Sequence, residues 1–454
     1  TEKHGGLILN QLKRIGCSCD WDRTKFTLDS DLSESVIDTF IKLFDEGYLY
    51  RDKKIVNWDP EALTTLSNEE VIYKEEETKL FYLKYQIVDS KDYLTVATTR
   101  PETIYGDTAV AVNPDDNRYK NLKNKKLIVP LVGREVPIVF DSSVEIDFGT
   151  GCLKVTPAHS EKDFIIGKNN ELEIIDIFND DATINNHGKK YQGLDRFEAK
   201  KQIVNDLTEQ GLISKTESYT HNIALSERTN SVVEPKLSLQ WFIKMKKIAE
   251  PAINAVVSGD IKFYPKKYIN TYKNWMENIR DWNISRQLYW GHRIPVYYLK
   301  NDNSKFVVSK NVKDALVKFK SKFNFELTFD DVEQDNDVLD TWFSSWLWPI
   351  SVFDGIRNPS NDDINYYYPT SDIVTGPDIL FFWIARMIMS GYYFRDNKPF
   401  NNVYFTGLVR DKKGQKMSKQ LGNSPDPIEL IKNYGADGVR IGLLFSAPAG
   451  NDLL

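Results

Sequence analysis

The chain has 454 residues, 41% of them apolar and 27% charged, with a formal net charge of −6 and three cysteines. That length exceeds one ordinary domain of about 150 residues, and 13% aromatic content with ten tryptophans excludes a disordered chain. Cys17, Cys19 and Cys152 form no Cys-x-x-Cys pair, which excludes a disulfide framework or a zinc knuckle; the acidic balance leaves open a nucleic-acid partner gripped by a local basic face.

The segment from Lys3 to Ile15 reads as the middle of an element, and the chain begins without Met, so a piece of something longer is expected. No signal peptide is expected from its amino end. The longest apolar run, Ile379 to Ser390, is interrupted by Arg386 and too short for a bilayer, so no membrane partner is expected and the location is expected to be cytoplasmic. Asp31-Leu32-Ser33-Glu34 offers a capping residue with an acid in the first turn. Val36, Phe40, Leu43 and Phe44 then make an apolar stripe at helical spacing, stopped by Gly47.

From Lys79 the texture becomes β-like: Phe81, Leu83, Tyr85 and Ile87 alternate with polar positions, and further β-type runs follow. The boundaries read as 1–78, a β-rich insertion over 79–222, and 223–454. Near Pro235 a helical texture is expected to return, with Trp241, Trp275 and Trp282 as packing bulk. The last third reads as a strand at Asp372–Thr375, a Gly376-Pro377 turn, a helix over Asp378–Ser390 and a strand at Asn402–Leu408. This βαβ pattern predicts a parallel sheet with ligands at the carboxyl ends of its strands. Just beyond, Asp411 to Asn423 places Lys416 and Lys419 three apart between Gly414 and Gly422, a loop suited to carry mobile cations to a triphosphate.

Lys416-Met417-Ser418-Lys419 followed by Leu421-Gly422-Asn423 resembles the second signature motif of the class I aminoacyl-tRNA synthetases, whose lysines stabilise departing pyrophosphate. Four further segments, in family order, are similar to the valyl members of that family. They are His4-Gly5-Gly6 through Cys19-Asp20-Trp21-Asp22-Arg23, then Trp282 through Pro295, then Asp340-Thr341-Trp342-Phe343-Ser344-Ser345, then Val374 through Met387. The resemblance implies an α/β fold: an incomplete Rossmann-type parallel-sheet catalytic core with a β-rich inserted editing domain. It implies ATP with Mg2+ as cofactor, valine and tRNA(Val) as partners, and a monomer. Gly376, Asp378, Lys416, Met417, Ser418 and Lys419 would bind ATP, Lys416 and Lys419 being catalytic, while Trp342, Ile379 and Trp383 would wall the valine pocket. Ile379 and Trp383, four apart, are expected on one helix face.

The insertion carries Thr98-Thr99-Arg100-Pro101-Glu102-Thr103, Gly149 through Lys154, and Thr156-Pro157-Ala158-His159 with Asp163 four residues on. These resemble the family's editing site. By that resemblance Asp163 would hold the amino group of a wrong amino acid, and Thr98, Thr99, Arg100 and Lys154, with Thr156 and His159, would line the pocket for the tRNA end.

Three departures stand out. The first family signature, His-Ile-Gly-His, is absent, so residues 1–454 as they stand are not expected to activate valine; Gln420 replaces the usual Ser after the second lysine; and Ser160 stands where valyl enzymes commonly have Asp. Asn57-Trp58-Asp59-Pro60 brings no cysteine, so no structural zinc is expected and no metal ligands are assigned. An editing hydrolase without activation, an isoleucyl enzyme and a non-catalytic tRNA-binding remnant remain as alternatives.

Overall fold

Alternation, helical spacing and turn residues build two compact units in the computed structural model, which describes residues 2–417, 422–447 and 449–453, with side chains from Gly5 onward. One unit comprises Thr1–Tyr50, Ile243–Trp282 and Tyr289–Leu454; the other comprises Arg51–Phe242 with Asn283–Leu288.

In the first unit the apolar stripe forms the helix Ser30–Asp45, burying Leu32, Val36, Phe40 and Leu43 along one face. Its N-cap is Asp29 rather than Asp31, which lies in the first turn and pairs with Lys25 at 2.7 Å. Gly47 follows the helix at φ +76°, a left-handed position that an L side chain resists. The βαβ segment forms, but its regular α-helix starts at Ala385 rather than at Asp378. Strand Thr370–Thr375 leads into the helix Ala385–Arg395, and strand Phe400–Phe405 lies between Thr370–Thr375 and Lys262–Tyr264, parallel to both. Every residue from Ala385 to Gly391 is buried, which accounts for an apolar run with no polar face.

A small satellite within the same unit has no counterpart among the expected elements. Val296–Leu299 pairs antiparallel with Asp302–Val308 and Val332–Gln334, and the helix Val312–Phe323 packs Ala315 and Phe319 onto Tyr297, Val307 and Val332. Asn311 caps that helix by accepting from Asp314 N–H, and Asn324 ends it at φ +59°.

In the second unit six strands run in the spatial order Tyr93–Thr98, Val71–Ile87, Lys126–Ile128, Glu135–Phe140, Ala109–Val112, Cys152–Val155, with Ile213–Ser226 also on Val71–Ile87. Phe81, Leu83 and Tyr85 face the core as their alternation requires. The unit is wider than the expected 79–222 because Val71–Ile87 and Ile213–Ser226 pair from Val71↔Ser226 to Leu83↔Ile213. Lys74 to Glu77 in that ribbon are exposed throughout, so no apolar alternation marks them as strand. Pro235 lies in a strand, Glu234–Ile243, and not in a helix; helical structure resumes at Lys246–Val257. Asp59, fully buried, accepts from Glu61 and Ala62 N–H and from the hydroxyls of Ser226, Thr229 and Ser231, tying the hairpin turn to that loop.

Candidate functional site

The first unit brings two expected segments together. Strand Thr370–Thr375 ends at Gly376, and a tight turn over Pro377–Ile379 carries Asp378. A Cβ on Gly376 would stand 2.4 Å from Asp378 Oδ1, so any side chain there would push the folded-back carboxylate aside. The neighbouring strand Phe400–Phe405 runs on into the lysine loop. Arg410 pairs antiparallel with Lys416, and Gly414 turns the tip at φ +76°. Asp411 organises this tip by accepting from the backbone N–H of Lys413 and Gln415 and from Asn423 Nδ2, each at 2.9 Å. The Asn423 bond first, then those backbone bonds, hold its carboxyl below the usual range. Lys416 Nζ thereby reaches Asp378 Oδ2 at 2.5 Å. Met417 follows, its N–H donating to Val409 O at 3.0 Å. Ser418, Lys419, Gln420 and Leu421, and the His4 side chain, lie outside the described residues.

Of Trp342, Ile379 and Trp383, expected to wall a valine pocket, Ile379 departs from the helical geometry read from its spacing. Ile379 does not share a regular helical face with Trp383, because its φ of −112° and ψ of 14° end one turn and a π-helical turn, Leu380–Ile384, begins the next. The extra residue per turn alters the phase. Trp342 instead meets Phe382 at 4.9 Å and Trp383 at 5.0 Å between ring centroids, while Phe381 stacks on Trp275 at 4.6 Å. Asp340 fixes the start of the Trp342 turn by accepting from Trp342 N–H at 2.9 Å and from Trp282 Nε1 at 3.0 Å. Buried Arg386 donates to Phe381 O at 3.1 Å, satisfying a carbonyl at the irregular turn.

In the second unit the expected editing residues also converge, with their charges engaged internally. Thr98 accepts from Arg100 N–H at 3.0 Å, and half-buried Thr99 lies between them in sequence. Buried Lys154 donates to Thr103 Oγ1 at 2.5 Å, Thr156 Oγ1 at 2.6 Å and Asp107 Oδ1 at 3.0 Å; Tyr85 donates to the other oxygen of Asp107 at 2.6 Å. Asp163 is 6% exposed and accepts from Thr156 N–H at 2.9 Å and Ser160 Oγ at 3.1 Å. Burial pushes its carboxyl up, against the pull of Lys154 and these hydrogen bonds. Ser160 caps the helix Glu161–Asn169, accepting from Asp163 N–H at 3.3 Å. Arg100 donates to Glu102 at 2.9 Å and to both oxygens of Glu234 at 2.8 and 2.9 Å. His159 Nε2 accepts from Ile177 N–H at 3.2 Å.

Sequence reasoning missed Asp107, Glu234, Arg196 and Phe382. Asp107 follows Gly106, where a Cβ would lie 2.9 Å from Thr156 Cγ2, a close approach that points to a crowded site. Phe382 was legible as part of an aromatic run. Glu234 and Arg196 had no signal, because apolar periodicity is silent about charged residues that pair in the interior.

Comparison with known proteins adds three findings. The family described as tRNA synthetases class I (I, L, M and V) matches residues 1–454. The chain is 60% identical over 455 aligned residues to a protein of Bacteroides fragilis named valine–tRNA ligase, covering 100% of this chain and 52% of that protein. It is 49% identical over 456 to one so named from Chlorobaculum tepidum, covering 100% and 49%. It thus spans about half the length of these relatives. A crystal structure of Mycobacterium tuberculosis methionyl-tRNA synthetase bound by methionyl-adenylate aligns with a TM-score of 0.46 at 13% identity, covering 99% of this chain and 52% of that one.

Proposed function

Because this chain belongs to the class I tRNA synthetases of the I, L, M and V group, we propose that it supplies two working parts of a valine–tRNA ligase, a nucleotide crevice and a hydrolytic pocket for mischarged tRNA. The observation that carries the first is the meeting of Asp378 and Lys416 beyond the carboxyl ends of adjacent parallel strands. The relatives named valine–tRNA ligase support valine over its sister amino acids.

In this reading the valine carboxylate attacks the α-phosphorus of ATP, pyrophosphate leaves, and the terminal ribose of tRNA(Val) then takes the valyl group while AMP departs. Asp378 accepts hydrogen bonds from the ribose hydroxyls, and Gly376 leaves room for the nucleotide. Lys416 transfers its ammonium from Asp378 to the phosphates; Met417 and Ser418 belong to the same loop, and Lys419 supplies a second cation by resemblance. Catalysis is then positioning and charge stabilisation. Magnesium, arriving on the triphosphate, would neutralise phosphate charge. Trp342, Phe382 and Trp383 wall the side-chain pocket, with Ile379 at its edge.

The second part answers a limit on discrimination: an apolar pocket sized for valine rejects threonine poorly, the established selectivity of valyl enzymes being only about 10²-fold. Asp163 holds the substrate's amino group, Thr98, Thr99 and Thr156 offer hydroxyls, and Arg100, Lys154 and His159 support the pocket from behind. No helix of the described residues is long and apolar enough to cross a membrane. By the family resemblance alone, a monomer working in the cytoplasm is our reading.

Two assays test these parts. Valine-dependent exchange of pyrophosphate into ATP should fall when Lys416→Ala is introduced into the full-length protein. This chain should release threonine from threonyl-tRNA(Val) faster than valine from valyl-tRNA(Val), and Asp163→Ala should abolish the difference. Equal release of both amino acids would reject the hydrolytic pocket.

A further inference from the structure

Four charged side chains from distant parts of the sequence meet in the interior of the second unit, beside His159. Glu234, 3% exposed, opens the strand Glu234–Ile243. Its carboxylate receives Nη2 of Arg100 on both oxygens and Nη1 of Arg196 at 2.6 Å. Arg196 begins the helix Arg196–Glu209 and Arg100 follows the strand Tyr93–Thr98, so one carboxylate ties three elements together. Glu102, paired with Arg100 at 2.9 Å, supplies the second negative charge and balances the two guanidinium groups.

The imidazole of His159 lies against this cluster. Its buried Nδ1 is 3.7 Å from Glu234 Oε1, longer than a hydrogen bond, and has no hydrogen-bond partner among the described residues; its Nε2, with Asp176 Oδ1 at 3.6 Å, accepts from Ile177 N–H. Phe178 packs edge-on at 4.8 Å between centroids. A ring nitrogen that accepts an amide N–H carries no proton of its own, so the ring proton belongs on Nδ1, facing Glu234. Carboxylate, backbone donor and aromatic edge together leave the ring one tautomer and one orientation. The His159 carbonyl in turn accepts from Arg100 Nη1 at 3.5 Å.

We propose that Glu234 is a positioning residue for the hydrolytic pocket: its charge, facing Nδ1, favours the Nδ1–H form of His159, and its bonds to Arg100 dock the Thr98–Arg100 segment beside the Thr156–Asp163 turn. This rests on the hydrolytic reading given above. Glu234 touches no substrate. Replacing it shifts His159 and the Thr98–Arg100 segment, so the turnover of bound substrate suffers, while binding, which also rests on Asp163 and Thr156, weakens less.

The test uses this chain with Glu234→Gln and Glu234→Asp. Gln presents an amide N–H to His159 and removes the charge that balances two arginines; Asp keeps the charge but retracts it by one methylene. Two readouts are taken on each folded variant: threonyl-tRNA(Val) deacylation, as kcat and KM separately, and the His159 tautomer from long-range 1H–15N correlations, assigned with His159→Gln. The expected result is a fall in kcat of about tenfold or more for Gln, with a smaller rise in KM and the Nδ1–H signature lost. Asp should recover both in part. Should Gln not fold, Asp alone must lower kcat and disturb the tautomer. An unchanged kcat and tautomer in an active chain would overturn the role of Glu234 while leaving the hydrolytic reading intact. A wild-type chain that binds threonyl-tRNA(Val) without releasing threonine would overturn the hydrolytic reading, and the positioning role with it.

Discussion

Lys416 and Asp378 form an ion pair 2.5 Å long between a loop tip and the turn after a parallel strand, 38 positions apart in sequence. Each is a residue that the proposed chemistry needs for ATP, so the pair occupies two binding groups with one another until nucleotide arrives.

The pair should restrain the loop only modestly. Its side chains are 56% and 26% exposed, and exposed ion pairs contribute about 0–1 kcal/mol. Asp378→Asn is therefore expected to speed tryptic cleavage at Lys412, Lys413 and Lys416 by no more than about fivefold. Cleavage rates indistinguishable from wild type would show that the contact does not hold the loop.

Gly376→Ala should act through Asp378 without disturbing the fold. The backbone there, at φ −84°, is open to alanine, but the new methyl must displace Asp378 Oδ1 from 2.4 Å. Weaker ATP binding by calorimetry, with an unchanged melting temperature, is the expected pattern. Loss of cooperative melting would instead assign the glycine to folding.

Acid should loosen the second unit over a defined window. Burial opposes ionisation of Glu70, but Arg286, with Nη2 at 3.1 Å, and Arg228, with Nη2 at 2.6 Å, outweigh it and bring the carboxyl down to about 2. Arg100, with Arg196, acts likewise on Glu234, also brought to about 2. A carboxyl lowered on folding stabilises the protein above its unfolded value, near about 4.3, and loses that contribution as pH falls towards the folded value. Stability to urea should thus hold from neutrality to about pH 5 and drop below about pH 4. Glu70→Gln should flatten that drop and lower stability at neutral pH by roughly 3 kcal/mol, the order expected when one partner of a buried pair is removed. An unaltered acid limb would show that Glu70 titrates normally.

Ser160 is expected to matter as a helix cap. It accepts from Asp163 N–H and donates back to the Asp163 carboxylate, so Ser160→Ala should cost about 1 kcal/mol. Ser160→Asp keeps the capping acceptor and sets a second carboxylate beside Asp163, whose own carboxyl burial has already raised. Thermal melts of both variants separate capping from charge: Ala lowers the midpoint at every pH, whereas any loss in Asp grows as pH rises.

Local pattern was enough to mark the helix Ser30–Asp45, the parallel pair Thr370–Thr375 with Phe400–Phe405, and the core face of Phe81, Leu83 and Tyr85. In each, apolar spacing matches the period of one element, and burial rewards only that match. Boundaries were less legible where both faces of a strand meet solvent, as at Lys74 to Glu77, and helical phase was lost where a π turn follows Ile379 and Phe382 packs on Trp342.

Determined by the sequence itself were the kinds of chemistry on offer: a lysine loop bounded by glycines, a Gly-Pro-Asp turn after a strand, and Thr, His and Asp segments in a β-rich insertion. Which charges meet was decided by tertiary structure alone. Arg100, Arg196 and Glu234 are spread over more than a hundred positions, and Lys154 finds Asp107 across a sheet. A charge can enter the interior only when its partners arrive with it, because desolvation penalises any one of them left alone. That requirement is met by the packing of distant elements, which no local pattern encodes.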